Sequence, residues 1–221
     1  LTPGNIQVVN PDSGQKGTRV AISGTALCGG GTRIVTVVLA GMEADIVEQL
    51  SCGLINVIAN DYGVNVTGSV TLISDTGANV TVEDMWTYIA AGTINQVSPN
   101  AGQGGSIVTI TGTYLFGGGT AVSGVDFAGV PASIQGVPTN TEIVVSVNIG
   151  PVVEGGNVGD VVITGNTGVT TRKINAWTYS TIDDVHPTSG QAGTRVTISG
   201  TRLFAGGDLV TRVQLVEIDV A

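Results

Sequence analysis

The side chains that could do chemistry are few. His186 is the single histidine, and Asp183 and Asp184 precede it closely enough to suggest an acid–base pair. The same two acids offer the hard oxygens that calcium takes. Cys28 and Cys52 are the two cysteines. Gly29-Gly30-Gly31-Thr32 and Gly117-Gly118-Gly119-Thr120 invite comparison with phosphate-cradling loops. Asn65-Val66-Thr67 and Asn79-Val80-Thr81 are acceptor triplets for N-glycosylation, which makes Asn65 and Asn79 candidate glycan sites.

A strict internal period decides how these groups are read. Pro11-Asp12-Ser13-Gly14-Gln15-Lys16-Gly17-Thr18-Arg19-Val20-Ala21-Ile22-Ser23-Gly24-Thr25 returns at Pro99 and again at Pro187, 88 residues apart each time. Each unit is then one member of an array. A catalytic site is usually a single constellation, whereas features present in every unit are scaffold. The position of His186 is Asn10 and Ser98 in the other units, so it reads as a polar residue before a turn proline. The glycine runs recur, carry no lysine and lack the Gly-Lys-[Ser/Thr] ending, so they read as hairpin loops. Asp183 and Asp184 are Asn95 and Gln96 one unit earlier, which are poorer calcium ligands. No catalytic, cofactor-binding or metal residue is assigned, and calcium at that acidic pair is the one cofactor the sequence raises. Cys28 and Cys52 are Phe116 and Asn140 in the second unit. Two ligands do not complete a metal cage, so they read as a disulfide suited to an oxidising compartment, with two buried thiols as the alternative.

Composition bounds the partners. Charged residues are 11% of the chain, hydrophobic ones 42%, and glycine numbers 34 of 221, the opposite of a disordered balance. The net charge of −9 reflects scarce bases, with Lys16 and Lys173 the lysines among eight cationic side chains. No basic cluster exists to neutralise phosphates, so nucleic acid is excluded as a partner. No apolar run reaches the roughly 18 residues that a spanning helix needs, so the sequence offers no direct membrane insertion. The chain begins at Leu1 rather than methionine, which suggests a processed product or a segment of something longer.

The elements are strands. Val20 and Ile22 alternate with Arg19, Ala21 and Ser23, and Val108/Ile110 and Val196/Ile198 repeat the pattern, so each signature predicts a strand with one buried face. The proline before it presets φ for a type I turn. Further strands are expected at Ile34–Leu39, Leu54–Ile58, 69–73 and 84–88, and at Val122–Phe127, 142–149, 160–164 and 174–179. A short strand ends at Val9, Val97 and Val185. Trp86-Thr87-Tyr88 and Trp177-Thr178-Tyr179 close the first two units, with Trp and Tyr sharing a face. About seven strands per unit make an immunoglobulin-like sandwich. The expected domains are 1–91, 92–180 and the N-terminal part of a third, 181–221, with linkers too short to act as flexible tethers. Gly41 and Gly129 correspond to Glu217, so the third unit holds about three strands. Either the chain continues past Ala221, the favoured reading, or another chain completes it.

The pattern V-x-P-x-x-G-x-x-G-[T/S]-x-V-x-I-x-G-T, the strands ending Ala40-Gly41 and Ala128-Gly129, and the terminal Trp-Thr-Tyr resemble the IPT/TIG family. These immunoglobulin-like domains occur in plexins, transcription factors and microbial surface proteins. The resemblance covers nearly the whole chain and implies an all-β fold of tandem sandwiches, two complete and a third partial. It implies roles in adhesion, spacing, receptor ectodomains or accessory modules of polysaccharide enzymes; the acidic balance speaks against the DNA-binding branch. The expected function is a non-enzymatic extracellular structural protein, a segment of a longer array forming a stalk, fibre or surface filament. Its expected partners are other copies of itself or further repeats of the chain. The alternatives are an adhesion or receptor ectodomain that binds cell-surface protein or glycan, and an accessory module of a polysaccharide-active enzyme.

Overall fold

Short apolar alternations separated by glycine, asparagine and threonine turns favour strands, and no helix forms among the described residues. The computed structural model describes residues 2–150 and 157–215. The first unit holds β1 (Asn5–Asn10), β2 (Ser13–Gly14), β3 (Arg19–Thr25), β4 (Ile34–Leu39), β5 (Met42–Ser51), β6 (Leu54–Ile58), β7 (Val66–Ser74) and β8 (Asn79–Tyr88). The second holds β9 (Thr93–Ser98), β10 (Ala101–Gly102), β11 (Ile107–Thr113), β12 (Val122–Phe127), β13 (Val130–Pro131), β14 (Ser133–Gln135), β15 (Glu142–Ser146), β16 (Asn157–Gly165) and β17 (Thr170–Tyr179). Two more, β18 (Thr181–His186) and β19 (Thr197–Thr201), open the third.

The signature strand is the centre of each half-sandwich. β3 lies between β1 and β6, and β11 between β9 and β15, all antiparallel. Val20, Ile22, Val108 and Ile110 point inward and are buried, because alternate residues of a strand share a face. Trp86 and Trp177 are fully buried, Trp177 edge-on to Phe127 with centroids 5.0 Å apart. In both units the tryptophan is also edge-on to the tyrosine two residues later. These rings are core. Two separate buried clusters result, one from Ile6 to Tyr88 and one from Ile94 to Tyr179. The architecture is tandem immunoglobulin-like β-sandwiches.

The two sandwiches differ at one edge for a local reason. In the first, β5 pairs with both β4 and β6, so its strands form one continuous wrapped sheet. The sequence reading did not anticipate β5, because most of its side chains face solvent and no apolar alternation marks it. In the second unit Pro131 interrupts the equivalent stretch. Proline cannot donate to a ladder, so the strand is confined to the short β13 on β12, and the chain then crosses to β14 on β15. Two sheets therefore stay separate.

Several expectations are corrected. The bonds before Pro11, Pro99 and Pro187 are cis, a geometry the sequence reading did not specify, and each proline opens a two-residue bend. The glycine runs do not join hairpins, since β3 and β4 are not neighbours, and β11 and β12 lie in different sheets. The strand expected over 142–149 ends at Ser146. Val196 and Ile198 are half-buried, because β19 pairs with β18 alone. They line an apolar trough of about 1110 Å³ with Val185 and Leu203. Of the roughly three strands expected in the third unit, residues 210–215 form none, and Val216 lies outside the described residues. The end of the expected 181–221 unit, with Glu217, lies outside them too.

Ile110 is inaccessible to solvent, so Ile110→Ala leaves a cavity in the second core. The expected cost is about 2–5 kcal/mol. Urea unfolding followed by tryptophan fluorescence should show the transition reported by Trp177 moving to lower denaturant, with that of Trp86 nearly fixed.

Candidate functional site at the junction between units

Each letter of the repeated signature has a structural task. The glycine with positive φ, Gly17 (87°), Gly105 (91°) and Gly193 (86°), turns the chain into the signature strand. The next residue closes the turn: Thr18 Oγ1, Ser106 Oγ and Thr194 Oγ1 each accept the N–H of Gln15, Gln103 or Gln191 at 3.0 Å. That hydroxyl occupies the space a side chain on Gly14, Gly102 or Gly190 would need, which excludes anything larger there.

The turn so formed grips the last strand of its own sandwich. β2 runs parallel to β8, and β10 parallel to β17. Thr87 N–H donates to Asp12 O at 2.9 Å, and Ile89 N–H to Gly14 O at 2.8 Å. In the second unit Thr178 N–H donates to Asn100 O at 3.1 Å, and Ser180 N–H to Gly102 O at 2.8 Å. The signature glutamine adds a bond to the linker itself. Gln15 Oε1 accepts from Gly92 N–H, and Gln103 Nε2 donates to Ser180 O, both at 2.9 Å across 77 residues. A carboxamide serves either way because it carries both a donor and an acceptor. Four residues, 89–92, join β8 to β9, while Ser180 alone joins β17 to β18. The glutamine thus reaches whichever linker atom lies at the exit.

The glycine runs supply the opposing surface. A β-carbon at Gly118 would sit 2.8 Å from Gly14 Cα and 3.0 Å from Ile89 Cδ1. At Gly206 it would sit 2.8 Å from Ala101 O and 3.1 Å from Pro99 Cγ. Both junctions therefore seat a glycine of one unit on the signature turn of the unit before, where a side chain would push them apart. Arg19 N–H also donates to Thr167 O of the second unit at 3.1 Å. Gln15 is buried in this contact.

A polar latch holds each glycine run. Asp75 accepts from Thr32 Oγ1 at 2.6 Å and from Thr32 N–H at 3.1 Å. Asn166 takes its place in the second unit, accepting from Thr120 N–H at 3.1 Å and donating to Thr120 Oγ1 at 3.0 Å. The Thr32 hydroxyl bond, then the neighbouring backbone N–H groups and Arg33, hold the Asp75 carboxyl below the ordinary aspartate range against a smaller opposing effect of burial. Cys28 and Cys52 are joined in a disulfide with Cα atoms 5.3 Å apart. In the second unit Phe116 N–H donates to Asn140 Oδ1 at 2.9 Å across the same gap.

The remaining sequence candidates do not converge. His186 is exposed at the end of β18, opposite Thr197. Asp183 accepts from Thr181 Oγ1 at 2.8 Å, a bracing bond within the β18–β19 ribbon. Among the described residues no group of three or more His, Cys, Asp or Glu side chains could hold a metal ion. Asn65 and Asn79 are both exposed, and Asn65 Oδ1 accepts from Ala90 N–H at 2.6 Å. That bond ties it to the linker through the oxygen and not through the nitrogen a glycan would join. The functional residues not assigned from sequence are Gln15, Gln103, Asp75 and Asn166. The glutamine was legible as an invariant letter of the repeat; Asp75 and Asn166 carried no repeat signal, being different residues at a shifted spacing.

No family model matches the chain, and no curated protein does. Solved structures match by shape. The extracellular region of plexin A4, domains 1 to 10, matches over 92% of this chain and 18% of that one, at 21% identity and TM-score 0.55. A second structure of that region, domains 1 to 8, matches over 80% and 18%, at 21% identity and TM-score 0.53. These show the fold, and the chain spans less than a fifth of the plexin's length. The surface glycan-binding protein PbSGBP-B from Prevotella bryantii matches over 78% of this chain and 41% of that one at 16% identity, with a TM-score of 0.33 that is too loose to carry an argument.

A depressed carboxyl stabilises the fold above its unfolded value of about 3.9 and loses that contribution as pH falls through the lower folded value. The first glycine run should therefore loosen in acid, read as faster exchange of the Thr32 amide, while Thr120 stays fixed. Asp75→Asn copies Asn166 and should abolish the pH dependence at Thr32.

Proposed function

We propose that the chain is a segment of an IPT/TIG-type tandem array, with units 1–91, 92–180 and the start of a third over 181–221. It serves as a non-enzymatic extracellular spacer in a stalk, fibre or surface filament. Further repeats or other copies of the chain are its partners. The observation that carries this reading is the same clasp at both junctions, in which the signature turn binds the exit of its own sandwich and a glycine of the next unit seats on it. Clasped exits and linkers of one to four residues restrict rotation between neighbours. The stiffness is thus coded in the repeat itself, as expected of a chain that works by extension. The disulfide and the likeness to a plexin extracellular region support a location outside the cell. The scattered acids and lone histidine support a role without turnover.

Small-angle scattering tests the reading. The parent chain should fit one elongated arrangement of its first two units. Gln15→Ala removes a buried hydrogen-bonding group, at a cost of about 1–3 kcal/mol. It should broaden the distribution of inter-unit angles while both cores stay folded. A parent chain whose scattering requires freely rotating units would contradict the spacer.

A further inference from the structure

Features confined to one unit stand outside the shared scaffold, and three of them converge. Lys16 stands where the other units have Gly104 and Ala192, and Asp61 and Tyr62 stand where the second has Ile149 and Gly150. The fold gathers them beside the first junction. The Lys16 ammonium is 3.9 Å from the Asp61 carboxylate, and the Tyr62 ring stacks on Tyr88 with centroids 5.2 Å apart and planes at 18°. With Gln15 and, across the junction, Thr170, they line a groove of about 450 Å³. Nothing of the kind fits in the second unit, where a β-carbon on Gly150 would meet the Tyr179 ring at 2.6 Å.

We propose that this groove binds a neutral hexopyranose unit of a glycan. Tyr62 is partly exposed, while its backing ring Tyr88 is buried and edge-on to Trp86 at 5.5 Å. The platform is therefore fixed before a ligand arrives. An aromatic face carries negative charge density, which suits the polarised C–H face of a pyranose. Beside it, Lys16 donates and Asp61 accepts, so adjacent sugar hydroxyls find an acceptor for one proton and a donor to one oxygen. Thr170 of the second unit also lines the groove. The two charges offset each other and the chain carries −9, so an anionic sugar is disfavoured and a neutral one fits. The volume lies within the roughly 300–1,000 Å³ of small-molecule sites, which favour domain interfaces. This site is independent of the spacer reading, since its distinctive side chains are absent from the repeated clasp.

The test titrates the ¹⁵N-labelled chain with the methyl glycosides of glucose, galactose and mannose. At least one should give saturable amide shifts centred on residues 15–17, 61–63 and 168–170. Tyr62 sits in a loop, and Tyr62→Ala, with its remaining spectrum unchanged, should weaken that binding by about tenfold or more, whereas Tyr62→Phe keeps the ring and the affinity. No saturable shift with any of the three, shifts elsewhere, or equal binding by Tyr62→Ala would overturn the proposal. Binding there of N-acetyl-leucine amide with all three sugars inert would also overturn it and assign the groove to a protein side chain. A chain that binds no sugar and still scatters as one elongated particle leaves the spacer standing.

Discussion

The short parallel pairing between the signature turn and the end of the last strand organises everything around it. Two residues, Ser13 and Gly14 or Ala101 and Gly102, run beside the Thr-Tyr of the closing strand, and the carbonyls of Asp12 and Gly14 or Asn100 and Gly102 accept the N–H groups of that threonine and of the residue after the tyrosine. Where the sandwich ends, its exit is still hydrogen-bonded to its own unit. The positive-φ glycine, the turn hydroxyl and the small residue facing it all serve to place those acceptors. The glutamine extends the same grip onto the linker, and the glycine of the next unit closes over it. One local motif therefore finishes one sandwich and seats its successor.

The period of the array is kept by compensation and not by identity. β1, β9 and β18 start at residues 5, 93 and 181, but the closing strands β8 and β17 start at 79 and 170. The second unit gains three residues before its final hairpin and gives up three in its linker. The signature turn is what makes that exchange tolerable: the exit contact is made from the end of the last strand, so the linker can shorten to Ser180 without losing it. The glycine runs show a parallel economy. Their last member leaves room for the Asp75 or Asn166 latch, and Gly118 or Gly206 leaves room for the preceding unit.

Much of this fold was legible in the sequence because its signals are local. Period-2 alternation at Val20/Ile22 and Val108/Ile110 placed the central strands, and Ile34–Leu39, Leu54–Ile58 and Val122–Phe127 appear with the bounds expected. The long β5 was hidden because an exposed edge needs no apolar pattern. The glycine runs were misread as hairpins because a crossover between sheets and a hairpin share the same residue types. Val196 and Ile198 carry the core pattern yet stay half-buried, since burial depends on strands that must pack against them. At the junction the glutamine was in plain view as part of the signature, but its partner lies 77 residues away. Tyr62 had no repeat partner to draw attention to it, and only the fold places it beside Lys16.

Native-state hydrogen exchange at two amides tests the clasp most directly. The N–H groups of Ile89 and Ser180 lie just beyond their sandwiches, where a plain linker would leave them open to water. If the signature turn holds each exit, both should exchange as slowly as the core amides of β8 and β17 and be released only with those strands. Exchange at the rate of an unstructured linker, with the two cores still protected, would contradict the clasp and with it the basis for a stiff array.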